Sequence, residues 1–378
     1  MFSKEEQERY SRQTRLDAFG ESAQEKLKSA KVLVIGAGAL GCPVLQYLVA
    51  AGVGEIGIVD GDKIERSNLH RQVLYTENDL EKGKAETAKH RLEEMNHHVK
   101  MEVFPTYLTA ENAFEISKNY DIIIDGTDNF PTRYLINDLC VLADKTNVHG
   151  SIQQFTGQVA VFNTLLPDGT RSPNYRDLFP VPPNPNEVVS CAEGGVIGAL
   201  PGIIGSMMAM EAIKVITGIG HTTGGQLFQY NSLNHQTQML NFTFDEENPL
   251  RGNPAKQTAL IDYDQFCGIQ KKTMMKEITV QELKAMRDAQ EDFQLVDVRE
   301  LFEYQDANLG GDLIPMNELP DRVSDIQRNK KVIVQCKSGG RSANAINFLE
   351  QAHGFDNLYN LRGGIIAWIM EIDPKLGH

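Results

Sequence analysis

Two short segments of the chain combine residue types that could do chemistry. The first is a glycine-rich turn, Gly36-Ala-Gly38-Ala-Leu-Gly41, which follows an apolar run and opens a helical pattern. Glycines let a backbone approach a phosphate closely, and a helix N-terminus offers N–H donors to an anion. Asp60 ends the next apolar run, 19 residues after Gly41, where a carboxylate accepts hydrogen bonds from ribose hydroxyls. This spacing predicts a nucleotide site, and the alternative is a turn that only packs a helix on a strand.

The second segment is built around a cysteine. Cys336-Lys-Ser-Gly-Gly-Arg341-Ser342 ends an apolar run and opens another helical pattern. Successive backbone N–H groups in such a loop form a nest for an anion, and the helix dipole adds to it, so a thiolate or the terminal sulfur of a persulfide is favoured. We predict that Cys336 is a sulfur nucleophile and that Arg341 orients the loop or a sulfur donor.

Charged residues near the glycine turn indicate which reaction the nucleotide site serves. Arg71 and Lys84 follow the apolar run at 55–60, and Asp128 follows the run at 121–125. In nucleotidyl transfer, negative charge builds on the departing pyrophosphate, and cations together with a divalent ion stabilise it. A carboxylate at the end of a strand can hold that ion, so we predict ATP with Mg²⁺ on Asp128. A dehydrogenase does not need this many cations, although an NAD-dependent oxidoreductase is one alternative.

The elements that must position these residues alternate between strand and helix. Apolar runs at 31–36, 55–60 and 121–125 are typical of buried parallel strands, and helical patterns lie between them. Runs at 158–162 and 227–231 predict an antiparallel portion later in the chain. The pattern is that of an α/β protein with a Rossmann-like, doubly wound mixed sheet.

The same pattern predicts the domain organisation. The doubly wound domain takes up residues 1–248. Residues 249–275 contain prolines and glycines and predict a linker. Strand and helix patterns resume over residues 276–378, which predict a small second α/β domain of ordinary size.

Composition limits the class of protein. The formal net charge is −14 and the pI about 5.2, which argues against nucleic-acid binding because phosphates require a basic face. Five cysteines without a C-x-x-C pair indicate a reducing compartment. The longest apolar run, 195–209, is short and contains Pro201, so we predict no membrane span. These features predict a cytoplasmic protein.

Five motifs, in order, resemble those of the MoeB/ThiF/HesA family, whose members are relatives of the ubiquitin-activating enzymes. They are GAGALGC, the D-x-D that begins at Asp60, SNLHRQ, KGKAE and DGTDN. The resemblance implies that Asp60 binds ribose and that Asp128 coordinates Mg²⁺. It implies that three further residues bind the phosphates: Asn68, Arg71 and Lys84.

The same resemblance implies a function. Family members use ATP to adenylate the C-terminal glycine of a small ubiquitin-like sulfur-carrier protein ending in Gly-Gly, in molybdopterin, thiamine, tRNA-thiolation and cysteine pathways. A homodimer is implied, in which Arg12 reaches the ATP of the partner subunit. In members with a sulfurtransferase tail, the cysteine equivalent to Cys191 handles the activated carrier. A helix follows Cys191 and would favour its thiolate, and the alternative is a small buried apolar residue.

One departure from the family concerns zinc. Relatives of the MoeB type commonly bind a structural zinc ion through two C-x-x-C pairs. The corresponding positions here are Asn174 and Asp177, then Asp264 and Cys267. Zinc sites of this kind are built from thiolates and imidazoles, and most of the required cysteines are absent. We therefore expect no structural zinc.

The cysteine loop and its surroundings resemble rhodaneses. Support comes from LVDVRE, EYQDANLGGDLIP and LRGGIIAW elsewhere in the second domain. The resemblance implies that Cys336 carries a persulfide, taken from thiosulfate or from the persulfide of a cysteine desulfurase. Four residues separate Cys336 from Arg341, whereas related phosphatases have a longer, wider loop that fits phosphate. Lys337 stands where relatives often have arginine, and the usual histidine before the Ile-Pro pair is absent.

These features together predict a two-step chemistry. The terminal carboxylate of the carrier attacks the α-phosphate of ATP, and a persulfide sulfur on Cys336 then attacks the acyl-adenylate. Cys191 resolves the resulting acyl disulfide and releases a thiocarboxylate. Besides the oxidoreductase, the alternative is a module that docks a ubiquitin-like partner without chemistry. The presence of Arg71, Lys84 and Asp128 argues against that module.

Overall fold

In a computed structural model, the chain forms two sheets, one in its N-terminal part and one in its C-terminal part. The residues described are 2–183, 195–252, 254–269 and 275–377. The chain divides into two units, residues 1–270 and 271–378. Apolar clusters lie on both faces of each sheet.

An eight-stranded sheet forms the centre of the first unit. Its strands are β1 (Lys31–Ile35), β2 (Glu55–Val59), β3 (Lys100–Phe104), β4 (Ile122–Asp125), β5 (Thr146–Gln153), β6 (Thr156–Phe162), β7 (Gln226–Asn231) and β8 (Gln236–Asn241). In space they follow the order β3-β2-β1-β4-β5-β6-β7-β8. β1 to β5 are parallel, and β6, β7 and β8 continue the sheet antiparallel. The strand order reverses between β1 and β4, so a crevice is expected at their carboxyl ends.

The parallel strands are buried on both faces because they are apolar throughout. In β1, Val32 and Val34 belong to one apolar cluster, whereas Leu33 and Ile35 belong to the other. A parallel sheet covered on both sides requires such continuous apolar runs.

Two helix N-termini lie at the carboxyl edge of this sheet. The helices are α1 (Lys4–Thr14), α2 (Gly20–Ser29), α3 (Gly41–Ala51), α4 (Lys84–Met95), α5 (Ala113–Ser117), α6 (Phe130–Leu142), α7 (Tyr175–Leu178), α8 (Ala199–Thr217) and α9 (Tyr263–Phe266). α3 begins at the end of the glycine turn. α6 begins after β4 and is capped by Asn129, whose Oδ1 accepts the N–H of Thr132 at 2.9 Å. Both helices therefore direct N-terminal N–H groups towards the crevice.

The helix α8 is long and apolar enough to cross a membrane by length and composition, and it is the one such helix among the described residues. It contacts α3, β5 and β6. Its residues Leu200, Ile204 and Met208 are buried in the apolar cluster of this unit. This packing accounts for the apolar composition of α8.

The predicted doubly wound, mixed sheet is confirmed, and the structure adds two features. β8 is an edge strand whose residues are all exposed, so no apolar alternation marks it in the sequence. Residues 249–252 and 254–269, part of the predicted linker, belong to the first unit: α9 contacts α6, and Tyr263 and Cys267 are buried.

The second unit contains a five-stranded parallel sheet. Its strands are β9 (Glu277–Ile278), β10 (Phe293–Asp297), β11 (Asp312–Leu313), β12 (Lys331–Gln335) and β13 (Leu358–Leu361), in the spatial order β11-β10-β12-β13-β9. Its helices are α10 (Val280–Asp288), α11 (Leu301–Asp306), α12 (Gly340–His353) and α13 (Gly364–Glu371). Cys336 directly follows β12, so the cysteine loop connects a central strand to the N-terminus of α12.

Candidate functional site

A cavity in the first unit lies at the carboxyl edge of the sheet, where β1 and β4 end. The glycine turn, the ends of β2 and β4 and the start of α4 contribute to its wall. Six of the predicted nucleotide-binding residues line it together: Gly36, Gly38, Asp60, Arg71, Lys84 and Asp128. The fold therefore brings residues from well-separated segments of the sequence to one place.

The three glycines of the turn differ in how strictly the structure requires them. Gly36 has a φ of 91°, and a Cβ there would lie 3.0 Å from the carbonyl oxygen of Gly126. A Cβ on Gly41 would lie 1.9 Å from the carbonyl oxygen of Gly36, so only glycine lets α3 start this close to the turn. Around Gly38 the nearest atom to such a Cβ is 3.7 Å away, which leaves the turn open. Gly41 shapes the turn without lining the cavity.

Asp60 ties the second strand to the glycine turn. Its Oδ2 accepts the N–H of Ala37 and its Oδ1 accepts the N–H of Asp62, each at 2.8 Å. Burial raises the pKa of Asp60, and the opposing effects of nearby Lys84 and of these two hydrogen bonds do not cancel the rise. Each carboxylate oxygen retains a lone pair, so Asp60 can still accept hydrogen bonds from ribose hydroxyls.

Lys84 is a fixed positive charge in the cavity wall. It lies at the start of α4 and is 6% exposed. Its Nζ donates to Oδ2 of Asp62 at 2.8 Å, and the hydroxyl of Tyr107 donates to Oδ1 of the same carboxylate at 2.7 Å. Burial acts to raise the pKa of Asp62, but the hydrogen bonds from Lys84 and Tyr107 outweigh it, so the pKa is lowered. Asp62 is therefore an anion that holds Lys84 in place.

The remaining predicted phosphate-binding residues, two arginines and one asparagine, are placed differently from one another. Arg71 lines the cavity, and its Nη1 donates to the carbonyl oxygen of Ser67 at 2.9 Å. Asn68 does not line it, and its Oδ1 accepts the N–H of Glu65 at 3.2 Å. Arg12 lies exposed on α1 and does not line the cavity of its own chain. Of the three, only Arg71 faces a nucleotide bound in this chain.

Asp128 follows β4 and lines the cavity. The residue that ends β4, Asp125, is fully buried below it. Oδ2 of Asp125 lies 2.9 Å from Nδ1 of buried His149, and its Oδ1 accepts the hydroxyl of Thr127 at 2.6 Å. Burial acts to raise the pKa of Asp125, but the contact with His149 and the hydrogen bond from Thr127 contribute to a net lowering. This buried network fixes the loop that presents Asp128.

Several lining residues were assigned no role by sequence reasoning, and three of them have charged or phenolic side chains: Asp62, Tyr107 and Arg133. Asp62 carries a usable signal, since it is the second acid of the D-x-D. Tyr107 follows β3 and Arg133 lies in α6, and no local pattern marks either of them. Arg133 is 9% exposed, and its Nε has no hydrogen-bond partner among the described residues. A buried guanidinium with an unused donor beside a cavity is suited to binding an anion.

The second candidate site surrounds Cys336, which is 1% exposed. The N–H of Gly339 donates to its Sγ at 3.2 Å, and the hydroxyl of Ser342 lies 3.4 Å from it. Burial acts to raise the pKa of Cys336. Hydrogen bonds from Ser342 and from the N–H groups of Ser338 and Gly339 outweigh that effect, so the pKa is lowered. The loop thus favours a thiolate, as the sequence predicts.

The other described cysteines differ from Cys336 in this respect. Burial raises the pKa of Cys42 to about 12 and that of Cys267 to about 11. Burial also raises the pKa of Cys140. These three thiols are neutral and behave as small apolar side chains.

Arg341 is held by a carboxylate beside the cysteine loop. Its Nη1 and Nη2 donate to the two oxygens of Glu303 at 2.6 and 2.7 Å. These hydrogen bonds are the main reason why the pKa of Glu303 is lowered to about 2. A separate buried pair joins Arg299 to Asp297 at 2.6 Å, and Arg299 also donates to the carbonyl oxygen of Ala307. Both arginines therefore brace the segments that surround the loop.

Comparison with known proteins identifies a related family for each of the two units. The sequence model of the ThiF family matches residues 10–250. The chain belongs to the ThiF family. The sequence model of the rhodanese-like domain matches residues 279–371. The chain is similar to the probable adenylyltransferase/sulfurtransferase MoeZ of Mycobacterium tuberculosis, with 41% identity over 382 residues, covering 99% of this chain and 95% of MoeZ.

Other relatives of this ThiF-family chain match one or both units. A sulfur carrier protein adenylyltransferase of Thermus thermophilus is 51% identical over 268 residues, covering 71% of this chain and 99% of that protein. The adenylyltransferase and sulfurtransferase MOCS3 of Culex quinquefasciatus is 38% identical over 398 residues, covering 97% and 88%. Escherichia coli MccB, crystallised with ATP, has a TM-score of 0.54 and 23% identity over 65% of this chain and 74% of MccB. That last likeness shows the fold alone.

Two of the four positions that correspond to the family's zinc cysteines, Asn174 and Asp177, belong to a polar network. The carboxylate of Asp177 accepts hydrogen bonds from the guanidinium of Arg251 at 3.0 and 2.9 Å and from Nδ2 of Asn248 at 2.8 Å. Asp264 is exposed, whereas Cys267 is buried. Although all of these residues are described, Asp177, Asp264 and Cys267 do not form a group whose ligand atoms converge. Asp177 instead links the segment after β8 to the short helix α7.

Cys191, predicted to handle the activated carrier, falls in residues 184–194, outside the described part of the chain. Val196, shortly after it, lines the nucleotide cavity, and α8 begins at Ala199. The role of Cys191 stays a prediction.

Proposed function

We propose that this enzyme adenylates the C-terminal glycine of a ubiquitin-like sulfur-carrier protein and then supplies it with sulfur from a persulfide on Cys336. One observation carries the proposal: a single chain contains both a cavity with fixed cations for a triphosphate and a cysteine whose pKa is lowered. MoeZ, named for the same two activities, is similar over almost the whole chain. We assign adenylation to residues 1–248 and sulfur transfer to residues 276–378, with 249–275 between them.

In the first step a carboxylate oxygen of the carrier's terminal glycine bonds to the α-phosphorus of ATP. The bond from that phosphorus to the bridging oxygen breaks, and pyrophosphate leaves. Lys84, Arg71 and Arg133 provide positive charge at the cavity wall, where the charge of the leaving group grows. Asp60 accepts hydrogen bonds from the ribose. No side-chain nucleophile is needed, since positioning and charge neutralisation suffice.

The residues of the cavity fit a magnesium ion, whereas those at the positions of the family's zinc cysteines do not fit a zinc ion. The carboxylate of Asp128 lines the cavity, and Mg²⁺ binds through one or two carboxylates together with phosphate oxygens. We assign Mg²⁺ to Asp128, where it would neutralise phosphate charge. We expect no structural zinc at the four positions of the family's zinc cysteines, because Arg251 and Asn248 donate to Asp177 where a zinc ligand would be required.

We also propose a cytoplasmic homodimer in which Arg12 serves the cavity of the partner subunit. Arg12 is exposed on α1 and does not line the cavity of its own chain, which supports a role in trans. The net charge of −14 argues against a nucleic-acid partner, and we expect neither a nucleic-acid nor a membrane partner.

In the second step the terminal sulfur of the Cys336 persulfide attacks the acyl carbon of the adenylate, and AMP leaves. The product is an acyl disulfide between the carrier and Cys336. The thiolate of Cys191 then attacks the Cys336 sulfur and releases the carrier thiocarboxylate. The two cysteines are left as a disulfide, which a dithiol reduces. The persulfide is formed again from thiosulfate or from the persulfide of a cysteine desulfurase.

Exchange of labelled pyrophosphate into ATP, dependent on a Gly-Gly carrier, tests the first step. We expect Asp128→Ala to abolish the exchange. Asp121→Ala is the matched control, because Asp121 lies at the other end of the same strand, where it accepts the N–H of Lys31 at 3.2 Å. Exchange that persists in Asp128→Ala would remove Asp128 from the metal site, and no exchange in the unaltered enzyme with any carrier would overturn adenylation.

Transfer of sulfur from thiosulfate tests the second step separately. We expect Cys336→Ala to abolish it while leaving pyrophosphate exchange intact. Cys267→Ala is the control, because its thiol has a raised pKa and should not react. Sulfur transfer that survives in Cys336→Ala would place the nucleophile elsewhere.

A further inference from the structure

A cluster of metal-binding side chains lies apart from both candidate sites. Glu5 comes from the first turn of α1, and His97 and His98 follow α4. None of the three lines the nucleotide cavity. Their ligand atoms all lie within 4.8 Å of one another, and no other group of three or more histidines, cysteines or acids in the described part of the chain converges in this way.

The distances in the cluster match a shared ion better than hydrogen bonds. Nε2 of His97 and Nε2 of His98 each lie 3.6 Å from Oε1 of Glu5. A charge-assisted N–H···O hydrogen bond is shorter, at about 2.7–2.9 Å. Two ligands about 2.1 Å from one tetrahedral zinc ion lie about 3.4 Å apart. The separations therefore leave room for an ion between the imidazoles and the carboxylate.

A second observation points to a ligand at this place. Nε2 of His98 is buried and has no hydrogen-bond partner in the part of the chain that the structure describes. Buried polar atoms are normally satisfied, so an orphaned imidazole nitrogen beside a carboxylate needs an explanation. A metal ion would satisfy it, because a neutral imidazole nitrogen is a good ligand for zinc.

We propose that Glu5, His97 and His98 bind a zinc ion. Two imidazoles and one carboxylate are a donor set that zinc takes, and the fourth position is left for water. Imidazole nitrogens argue against Mg²⁺ and Ca²⁺, which prefer oxygen ligands. Glu5 and His97 are exposed, so the ion can enter from solvent and exchange.

The two segments that carry the ligands are held together independently of any ion. Nη1 of Arg9 donates to the carbonyl oxygen of Met95 at 3.0 Å. Nδ2 of Asn96 donates to the hydroxyl of Tyr10 at 2.9 Å, and both of these side chains are buried. The rings of the two histidines are also fixed against each other, with centroids 4.1 Å apart. The site is thus preorganised, which reduces the entropy lost on binding.

Zinc at this place would fasten α1 to the turn after α4. α1 also carries Arg12, about two helical turns beyond Glu5. If Arg12 serves the partner subunit, the ion would hold the helix that presents it. This consequence rests on the proposed function, whereas the binding of zinc itself does not.

Calorimetric titration of the untagged, chelator-treated full chain with zinc chloride tests the binding. The variants are Glu5→Gln, His97→Ala and His98→Ala, and the first two alter exposed side chains that do not support the core. His90→Ala is the matched control: His90 is exposed on α4, its Nε2 lies 3.9 Å from Glu94, and no third ligand joins them. The unaltered chain and the four variants keep every cysteine, so any zinc bound to thiolates would be the same in all five proteins.

We expect the unaltered chain and His90→Ala to bind one more zinc ion than the three cluster variants, or to bind it at least about tenfold more tightly. Zinc should raise the midpoint of thermal unfolding only in the unaltered chain and in His90→Ala, because a ligand that binds the folded state stabilises it. Equal binding in all five proteins, or none in any, overturns the proposal. Neither readout depends on adenylation, so the result is separate from the fate of the proposed function.

Discussion

The ammonium of Lys84 lies 2.8 Å from the carboxylate of Asp62, inside the cavity that we assign to ATP. Lys84 is buried, whereas the side chain of Asp62 is about half exposed. Without nucleotide, Asp62 is therefore the counter-ion that allows a lysine charge to remain in the cavity wall. A phosphate group that binds Lys84 must share it with Asp62 or replace Asp62.

The variant Asp62→Asn should lose stability that ATP can restore. It leaves a buried ammonium with a neutral partner, and we expect a loss of about 1–2 kcal/mol, less than for a fully buried pair because Asp62 is partly solvated. Bound ATP gives Lys84 a new anionic partner, so the rise in unfolding temperature on adding ATP should be larger in the variant. Calorimetry of the first unit measures this. The single tryptophan, Trp368, lies in the second unit. Its fluorescence should therefore not differ between Asp62→Asn and the unaltered enzyme.

The control for that variant breaks an ion pair on the surface. Glu77→Gln removes the partner of Arg66, and both side chains are exposed. We expect a change within about 0.5 kcal/mol and an unaltered response to ATP. If Asp62→Asn and the unaltered enzyme gained equally from ATP, Lys84 would not contact the phosphates.

The variant Ser342→Ala should move the pH dependence of sulfur transfer to higher pH. The Ser342 hydroxyl helps lower the pKa of Cys336, so its loss raises that pKa. A higher pKa of Cys336 leaves less thiolate at neutral pH. The rate of persulfide formation by the variant therefore falls at pH 7 and recovers in alkali. The rate measured from pH 5 to 10 with saturating thiosulfate gives the shift.

Ser338→Ala is the matched control for this pH shift. Ser338 lies in the same loop, but only its backbone N–H supports the sulfur, and alanine retains that group. The pH profile of Ser338→Ala should match that of the unaltered enzyme. A rate loss in Ser342→Ala that is equal at every pH would instead indicate a structural role for the hydroxyl, which also lies 2.6 Å from Oδ1 of Asn360.

Local sequence patterns were sufficient to predict the central strands and the two turns that follow β1 and β12. A buried parallel strand is apolar in every position, as in β1, and the turn that follows needs glycine for steric reasons seen at Gly36 and Gly41. Asp60 and Asp128 were predictable because each ends or follows such a strand. These signals are local, so no knowledge of tertiary packing was needed.

Residues that reach the cavity only through tertiary packing could not be predicted. Tyr107 follows an edge strand and Arg133 lies within α6, and both reach the cavity wall only because β3 and β4 end on the same side of the sheet. Polar or irregular segments were missed for a related reason. β8 has no buried face, so its sequence shows no apolar alternation. The segment that contains Tyr263 was predicted as a linker because it contains prolines and glycines, although the side chain of Tyr263 is buried in the core.

Mixing two inactive variants tests whether Arg12 acts across a dimer. Arg12→Ala and Asp128→Ala should each abolish carrier-dependent pyrophosphate exchange. In a mixed dimer, the subunit that carries Arg12→Ala keeps Asp128, and the intact Arg12 of the other subunit can reach its cavity. Random reassociation makes half of the dimers mixed, each with one complete site of two, so activity should return to about a quarter of that of the unaltered enzyme.

The result separates action in trans from action in cis. If Arg12 served the cavity of its own chain, neither subunit of a mixed dimer would hold a complete site, and mixing would restore nothing. The control mixes Lys84→Ala with Asp128→Ala. Both residues line the same cavity of one chain, so this pair should stay inactive whatever the assembly. Exchange that returns for the pair with Arg12 and not for the pair with Lys84 would assign α1 to the active site of the other subunit.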